Sequence, residues 1–396
     1  MTVALYGLPE KVIFCKRCVI SNQRPNSTVE FRHTTGSKKA TIHLDAEGIC
    51  DACRVAESKA AIDWSEREAA LGALLDKYRS RNGSYDCIVP GSGGKDSFYA
   101  AHMLKYRYGM NPLTVTWAPH IYTEWGWRNF QSWIHAGFDN ILTTPNGLTH
   151  RILTRLAVEN LFHPFQPFVV GQKALAPKMS ALHRIPLVFY GENEAEYGNP
   201  IDDTVKAQRD ASYYTADVDA HLSGVPFYEL RERYQLDLEP YMPASANSLA
   251  RAGTEVHYLG YYLRWHPQSA YYYAVEHGGF VPSDERQAGT YSKYNSIDDK
   301  IDDFHYFCTF VKFGIGRATY DAAQEVRSGD ITRAEAVALV SRYDGEWPGR
   351  WSDEIFRYLS PPGFEPMTEA SFMALSDKFR SPHLWDGRIL RHRVEM

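Results

Sequence analysis

Tyr85-Asp86-Cys87-Ile88-Val89-Pro90 runs without a break into Gly91-Ser92-Gly93-Gly94-Lys95-Asp96-Ser97. An apolar strand therefore delivers the chain into a glycine-rich turn. The residues that follow, Phe98 to Tyr108, carry Ala101, Leu104 and Tyr108 at helical spacing, so the turn sits between a strand end and a helix N-terminus. Free backbone N–H groups and the helix dipole both favour an anion there. The loop is not a Walker A loop, which needs a glycine where Val89 stands and Ser or Thr where Asp96 stands.

Outward from this loop the chain alternates strand and helix. An amphipathic helix precedes it, from Trp64 to Arg81. After it come a strand Leu113–Trp117, a helix from Thr123 to Ala136, a strand Asn140–Thr143 and a helix from Leu148 to Leu161. A buried strand, Ile185–Tyr190, then ends in the polar turn Gly191-Glu192-Asn193-Glu194. This rhythm predicts an α/β fold with a parallel sheet and helices on both faces. Ligands of such sheets bind beyond the carboxyl ends of the strands, which brings Thr116, Trp117, Gly171, Gln172, Lys173 and Gly191 towards the loop. Residues 200 to 255 follow no such rhythm.

Two cysteine pairs of identical spacing, Cys15-x-x-Cys18 and Cys50-x-x-Cys53, lie near the N-terminus. Two such knuckles close the tetrahedral sulfur shell that zinc prefers, and four protein ligands leave no open position, so the metal would be structural. The alternatives are two disulfides, disfavoured in a reducing cytosol, four unrelated thiols, or an iron–sulfur cluster.

At 396 residues, with a prior of ~150 per domain, two or three domains are expected. We divide the chain into a cysteine-bearing region with its linking helix (1–80), an α/β domain (81–200) and a mostly helical region (201–396). A net charge of −5 gives no general attraction for a phosphate backbone, so nucleic acid is not an expected partner. No apolar run approaches the ~20 residues that span a bilayer, and the first residues lack a basic stretch followed by an apolar one, which sets the expectation of a cytoplasmic protein with no membrane contact. Tyrosines between Tyr258 and Tyr294 read first as core and loop packing, and alternatively as stacking platforms for a base or sugar.

The segment Ser92 to Ser97 resembles the Ser-Gly-Gly-x-Asp-Ser signature of PP-loop ATP pyrophosphatases, whose fold is adenine nucleotide alpha hydrolase-like and which cleave ATP to AMP and pyrophosphate. The resemblance implies that Gly91, Ser92, Gly93, Gly94 and Ser97 hold the pyrophosphate. It implies further that Asp96 places Mg²⁺ or orients the loop, and that Lys95 adds positive charge. Thr116 and Trp117 lie at the edge where that family binds adenine, and Glu192 and Asn193 read as site residues.

Together with the cysteine knuckles, Gly191-Glu192-Asn193-x-x-Glu196-Tyr197-Gly198, Lys312-Phe313-Gly314-Ile315-Gly316-Arg317-Ala318-Thr319 and Arg327-x-Gly329-x-Ile331-Thr332-Arg333-x-Glu335-Ala336, the chain is similar to the N-acetyl sugar amidotransferases of lipopolysaccharide and surface-glycan synthesis. That resemblance implies conversion of an acetamido group on a nucleotide-linked sugar, a 2,3-diacetamido uronic acid, to an acetamidino group. The sugar would meet Lys173, Glu196, Tyr197, Lys312 and Arg317. ATP, Mg²⁺ and a structural Zn²⁺ are the implied cofactors. Cys87 lies in a buried strand and Cys308 in an aromatic run, so neither reads as a glutaminase nucleophile. The implied nitrogen source is a separate glutaminase with a cyclase-like companion, both resembling subunits of histidine biosynthesis. Asp298, Asp299, Asp302 and Asp303 are candidates for general-acid or Mg²⁺ roles, or else begin a helix. A tRNA-modifying PP-loop enzyme is the rival reading. The net negative charge and the lack of a basic helix count against it. A nucleotide-sensing scaffold is the other, and an intact Asp96 counts against that.

Overall fold

The computed structural model describes residues 3–27, 30–191, 197–199, 206–215 and 220–395. Its centre is a sheet of β1 (Cys87–Pro90), β2 (Pro112–Trp117), β3 (Asn140–Thr143), β4 (Leu187–Tyr190), β5 (Gln208–Arg209) and β6 (Glu255–Tyr258). Their order in the sheet is β3-β2-β1-β4-β6-β5. The first five of these run parallel, with Ile88 beside Leu113 and Val188, and Val188 beside Val256. Only β5 is antiparallel, on the outer edge of β6. The chain runs outward from β1 to β2 and β3, then returns to place β4 on the other side of β1. That reversal opens a crevice beyond the carboxyl ends of β1 and β4, the usual ligand position in such sheets.

Both faces of the sheet are covered, as the uninterrupted apolar strands require. Alternation along the strands sorts the side chains. Ile88, Leu113, Val115 and Val188 join one core with Leu153, Leu156, Phe168 and Leu175 from helices Gly147–Leu161 and Gln166–His183. Cys87, Val89, Leu187 and Phe189 join the opposite core with Leu71, Phe98, Phe130, Trp133 and Ala274. Those partners come from helices Trp64–Tyr78, Lys95–His102, Glu124–His135 and Pro267–Gly278. The sheet is completed by β5 and β6, from beyond residue 200, where the sequence carries no strand rhythm.

The C-terminal region is helical, comprising Asp302–Phe313, Arg317–Ser328, Arg333–Tyr343, Ser352–Tyr358 and Glu369–Phe379. Thr332 and Glu335 form the reciprocal cap that starts the third of these. Phe304, Phe307, Phe356 and Phe372 build a separate aromatic core here. No described helix is long and apolar enough to cross a membrane.

The N-terminal cysteines lie against this helical region. Cys15, Cys18, Cys50 and Cys53 share one buried cluster with Ile315, Ala322, Ala323, Ala336 and Val337. The four-cysteine segment is therefore docked on the C-terminal helices and is not a free appendage.

Candidate functional site

The glycine loop leaves β1 and enters helix Lys95–His102 through Gly94, which caps the helix without a side-chain acceptor. The first-turn N–H groups consequently have no intrahelical partner and no side-chain cap. Gly93 has φ +85°, and a Cβ there would stand 2.6 Å from the carbonyl oxygen of Asn129 and 2.8 Å from Cα of Phe130. Glycine is required at this position both by the left-handed backbone and by the neighbouring helix. Ser97 Oγ donates to the Gly94 carbonyl at 3.0 Å and so ties the loop to its own helix. Lys95 is buried, and its Nζ donates to both carboxylate oxygens of Asp96 at 2.6 and 2.7 Å. Gly191, at the end of β4, backs directly onto the Asp96 carbonyl, 2.8 Å from where a Cβ would stand.

The loop forms the floor of a cavity of about 520 Å³, within the ~300–1,000 Å³ typical of small-molecule sites. Gly91, Ser92, Gly94, Asp96 and Ser97 line it, together with Gln172, Lys173, Gly191 and Tyr197. Of the other residues singled out from the sequence, Thr116 and Trp117 lie inside the sheet packing. Thr116 Oγ1 accepts from Asn140 Nδ2 at 2.9 Å, and the Trp117 indole fills the space beside Gly171. Glu192, Asn193 and Glu196 lie outside the described residues.

The facing wall of the cavity comes from far along the chain. Tyr294, Ser296, Ile297, Asp298, Asp299, Asp302, His305 and Tyr306 all line it. This wall is fixed by backbone contacts to helix Glu124–His135, where Thr123 N donates to the Asp298 carbonyl at 3.1 Å and the Thr123 hydroxyl donates to the Ile297 carbonyl. Asp298 lines the cavity with Ser92 of the loop, and burial pushes its carboxyl up while the Ser92 hydroxyl opposes the rise. Asp299 accepts from His120 N and sits 2.7 Å from His120 Nδ1, so it holds the wall to the segment after β2. Burial among its acidic neighbours pushes Asp302 well up, against the opposing charge of Arg317.

Arg317 and Lys312 are committed elsewhere. Arg317 lies 3.2 Å from both Asp302 and Asp321, all three side chains being buried. Lys312 donates to the Leu161 carbonyl at 2.7 Å. Replacing Arg317 with alanine leaves two buried carboxylates without their cation, and chemical denaturation should show a loss of about 3–5 kcal/mol. Retention of full stability would mean that the pair does not hold this wall.

Asp303 gives a pH signature. Burial pushes its carboxyl up to about 6, with the Ala288 N–H and Arg317 opposing. An unfolded aspartate titrates near ~3.9, so between roughly pH 4 and 6 the folded chain keeps a proton that the unfolded chain releases. Stability therefore falls as pH rises through that window. At ~1.4 kcal/mol per pKa unit, Asp303→Asn should gain about 2 kcal/mol over the parent between pH 4.5 and 7.5, read from urea midpoints. A constant difference across those pH values contradicts the assignment.

Three tyrosines form another side. Tyr190 and Tyr258, neighbours on β4 and β6, stack at 5.5 Å, and Tyr214 stacks on Tyr190 at 6.2 Å. All three face the cavity, and with Tyr294 they make an aromatic lining of the kind the tyrosine-rich sequence left open.

The four-cysteine cluster is a separate site. The sulfurs of Cys15 and Cys53 are 3.9 Å apart, those of Cys18 and Cys50 3.7 Å, and all four lie within 4.8 Å of one another. A tetrahedral zinc with Zn–S of ~2.3 Å requires sulfurs about 3.8 Å apart, so the cluster fits zinc and is far too open for disulfides. Among the described residues this is the group of three or more such ligands that converges. Cys87 and Cys308 are buried thiols that burial pushes well up, which leaves them inert as nucleophiles.

Residues 288–393 match a family model described as LPS biosynthesis protein WbpG-like, C-terminal domain. The match supports involvement in LPS biosynthesis. The matched segment contains the whole facing wall, Tyr294 to Tyr306, so it is part of the site and not a distant module. A further similarity, 32% identity over 83 residues, is to an uncharacterised protein of Methanocaldococcus jannaschii. It covers 21% of this chain and 29% of that protein.

Proposed function

We propose that the chain is an ATP-dependent amidotransferase acting on a nucleotide-linked N-acetylated sugar of LPS synthesis. The observation that carries this reading is that the segment matched to the WbpG-like domain walls the cavity over the glycine loop, Asp298 and Ser92 both lining it. A phosphate-type loop at the carboxyl edge of a parallel sheet faces a wall from a domain matched to surface-glycan synthesis.

In this reading the amide oxygen of the acetamido group attacks the α-phosphorus of ATP, and pyrophosphate leaves into the N–H groups of Gly94, Lys95 and Asp96. Ammonia adds to the imidate carbon and loses a proton, and AMP departs with the original amide oxygen. An amide oxygen is a poor leaving group, and adenylation is what makes its departure feasible. The stacked tyrosines offer faces for a base or sugar ring. Lys173, on the cavity wall, suits a carboxylate or diphosphate. Bound substrates must exclude water from the cavity, because water would return the adenylate to the amide. Asp96 and Asp298 are hard oxygen donors that would hold Mg²⁺ together with phosphate oxygens, as one or two carboxylates commonly do. The ion would neutralise charge on the departing pyrophosphate.

A partner glutaminase is the proposed nitrogen source, in keeping with the inert environments of Cys87 and Cys308. The test is pyrophosphate and AMP formation by the purified chain from ATP, ammonium chloride and UDP-linked diacetamido uronic acids, with mass spectrometry of the sugar. Sugar-dependent release and a product in which NH replaces O support the reading. AMP formation on adding tRNA, with none on adding sugar, overturns it.

A further inference from the structure

Behind the loop site lie two smaller cavities in series. The first, of about 150 Å³, shares His305 with the loop cavity. The second, of about 20 Å³, shares His33, Lys39 and Lys312 with the first and reaches the surface beside Thr35, which is exposed. Three imidazoles run along this line. The His33 and His163 rings are 6.1 Å apart, and His163 stacks on His305 at 4.9 Å. Nδ1 of His163 and Nδ1 of His305 are buried without a hydrogen-bond partner among the described residues. Two buried rings with unused ring nitrogens, set between a surface opening and a reaction cavity, are an expensive arrangement to leave without purpose.

We propose that this file of cavities is a side conduit delivering neutral ammonia to the loop site, separate from the entrance used by ATP and sugar. The proposal rests on the amidation reading above. Size and the neutral imidazoles argue for this cargo. A cavity needs about 10–15 Å³ to hold a water-sized molecule, so the outer chamber admits ammonia but no sugar or nucleotide. Lys39 and Lys312 stand at the junction of the two chambers, where burial brings the Lys312 ammonium down to about 7 and so favours neutral nitrogen along this path. The Glu30 carboxylate, paired with His33 at 2.9 Å, also lines the middle chamber, and beyond it the path runs past two histidine rings. Burial holds His163 well below its ordinary range, and burial with the charge of Arg317 brings His305 down to about 3, so both rings are neutral at physiological pH. Their Nδ1 atoms then offer hydrogen bonds to ammonia without trapping it as an ion. His305 ends the file in the loop cavity, on the same wall as Asp302 and Tyr306.

The test plugs the conduit at two points. Thr309 lines the middle chamber, and Thr309→Phe fills it. Thr35 is at the exposed mouth, where Thr35→Trp obstructs entry without disturbing the core and so decides the matter should the first variant fail to fold. Thr309→Val serves as the open control. Ammonium KM is measured with ammonium chloride, and the adenylation half-reaction by sugar-dependent exchange of pyrophosphate into ATP. We expect the plugged variants to raise ammonium KM at least about tenfold, with exchange within about twofold of the parent and the control unchanged. Unchanged ammonium KM in the folded plugged variants overturns the conduit while leaving the amidation reading intact. Absence of sugar-dependent exchange in the parent overturns both.

Discussion

Gly93→Ala is expected to lower sugar-dependent pyrophosphate release by about 100-fold or more, the scale on which a displacement of ~1 Å in a reacting group is felt. A methyl group at this position meets backbone atoms of Asn129 and Phe130, which cannot rotate away as a side chain can, and φ +85° is itself unfavourable for alanine. The loop must therefore shift away from helix Glu124–His135. Gly94→Ala is the contrast. There φ is −65°, and the only atom near an added Cβ is Ser92 Oγ at 3.8 Å, so the loop keeps its shape. Activity should exceed that of Gly93→Ala by about tenfold or more, since the loop geometry survives. Equal activities for the two variants would mean that the loop geometry described here is not the reactive one.

Cys50→Ser is expected to remove the tightly bound zinc and to lower the unfolding temperature by roughly 10 °C, from a loss of about 3–5 kcal/mol at ~2–4 °C per kcal/mol. The effect should reach well beyond the N-terminal segment. The cysteine cluster shares its core with Ile315, Ala322 and Val337, so loss of the metal uncovers a face of the C-terminal helices. Limited proteolysis should then cut near both Cys15 and Arg327. Metal analysis of the parent should give one zinc per chain, and Cys308→Ala should leave that content unchanged. A Cys50→Ser variant with full zinc content would contradict a four-sulfur site.

The parts of the molecule that were legible in the sequence are those encoded by short-range pattern. The cysteine spacing announced the metal cluster because two knuckles are local features that need only meet. Strand Asn140–Thr143 and helices Glu124–His135 and Gly147–Leu161 followed from apolar periodicity. The glycine loop was readable because a strand, a turn and a helix start are contiguous. What the sequence did not disclose depends on distant packing. Asp298 meets Ser92 only through the docking of the C-terminal region, and the two are far apart in the chain. β5 and β6 are short edge elements in a stretch without rhythm, held by pairing to β4. His305 sits in an aromatic run that reads as core, and its position between two cavities follows from helix Asp302–Phe313 lying against Leu161 and Phe165. Lys312 and Arg317 looked like ligand-binding charges because their burial among carbonyl and carboxylate partners has no local signature.

The most direct test of the central claim follows one atom. A nucleotide-linked diacetamido sugar carrying a heavy oxygen isotope in its acetamido group is turned over with ATP and ammonium chloride, and the AMP is examined by mass spectrometry. Attack of the amide oxygen on ATP predicts that the label leaves the sugar and appears in AMP, one labelled oxygen for each amidine formed. AMP without label, or label retained in the sugar as ATP is consumed, would contradict adenylation of the substrate and with it the function proposed for this site.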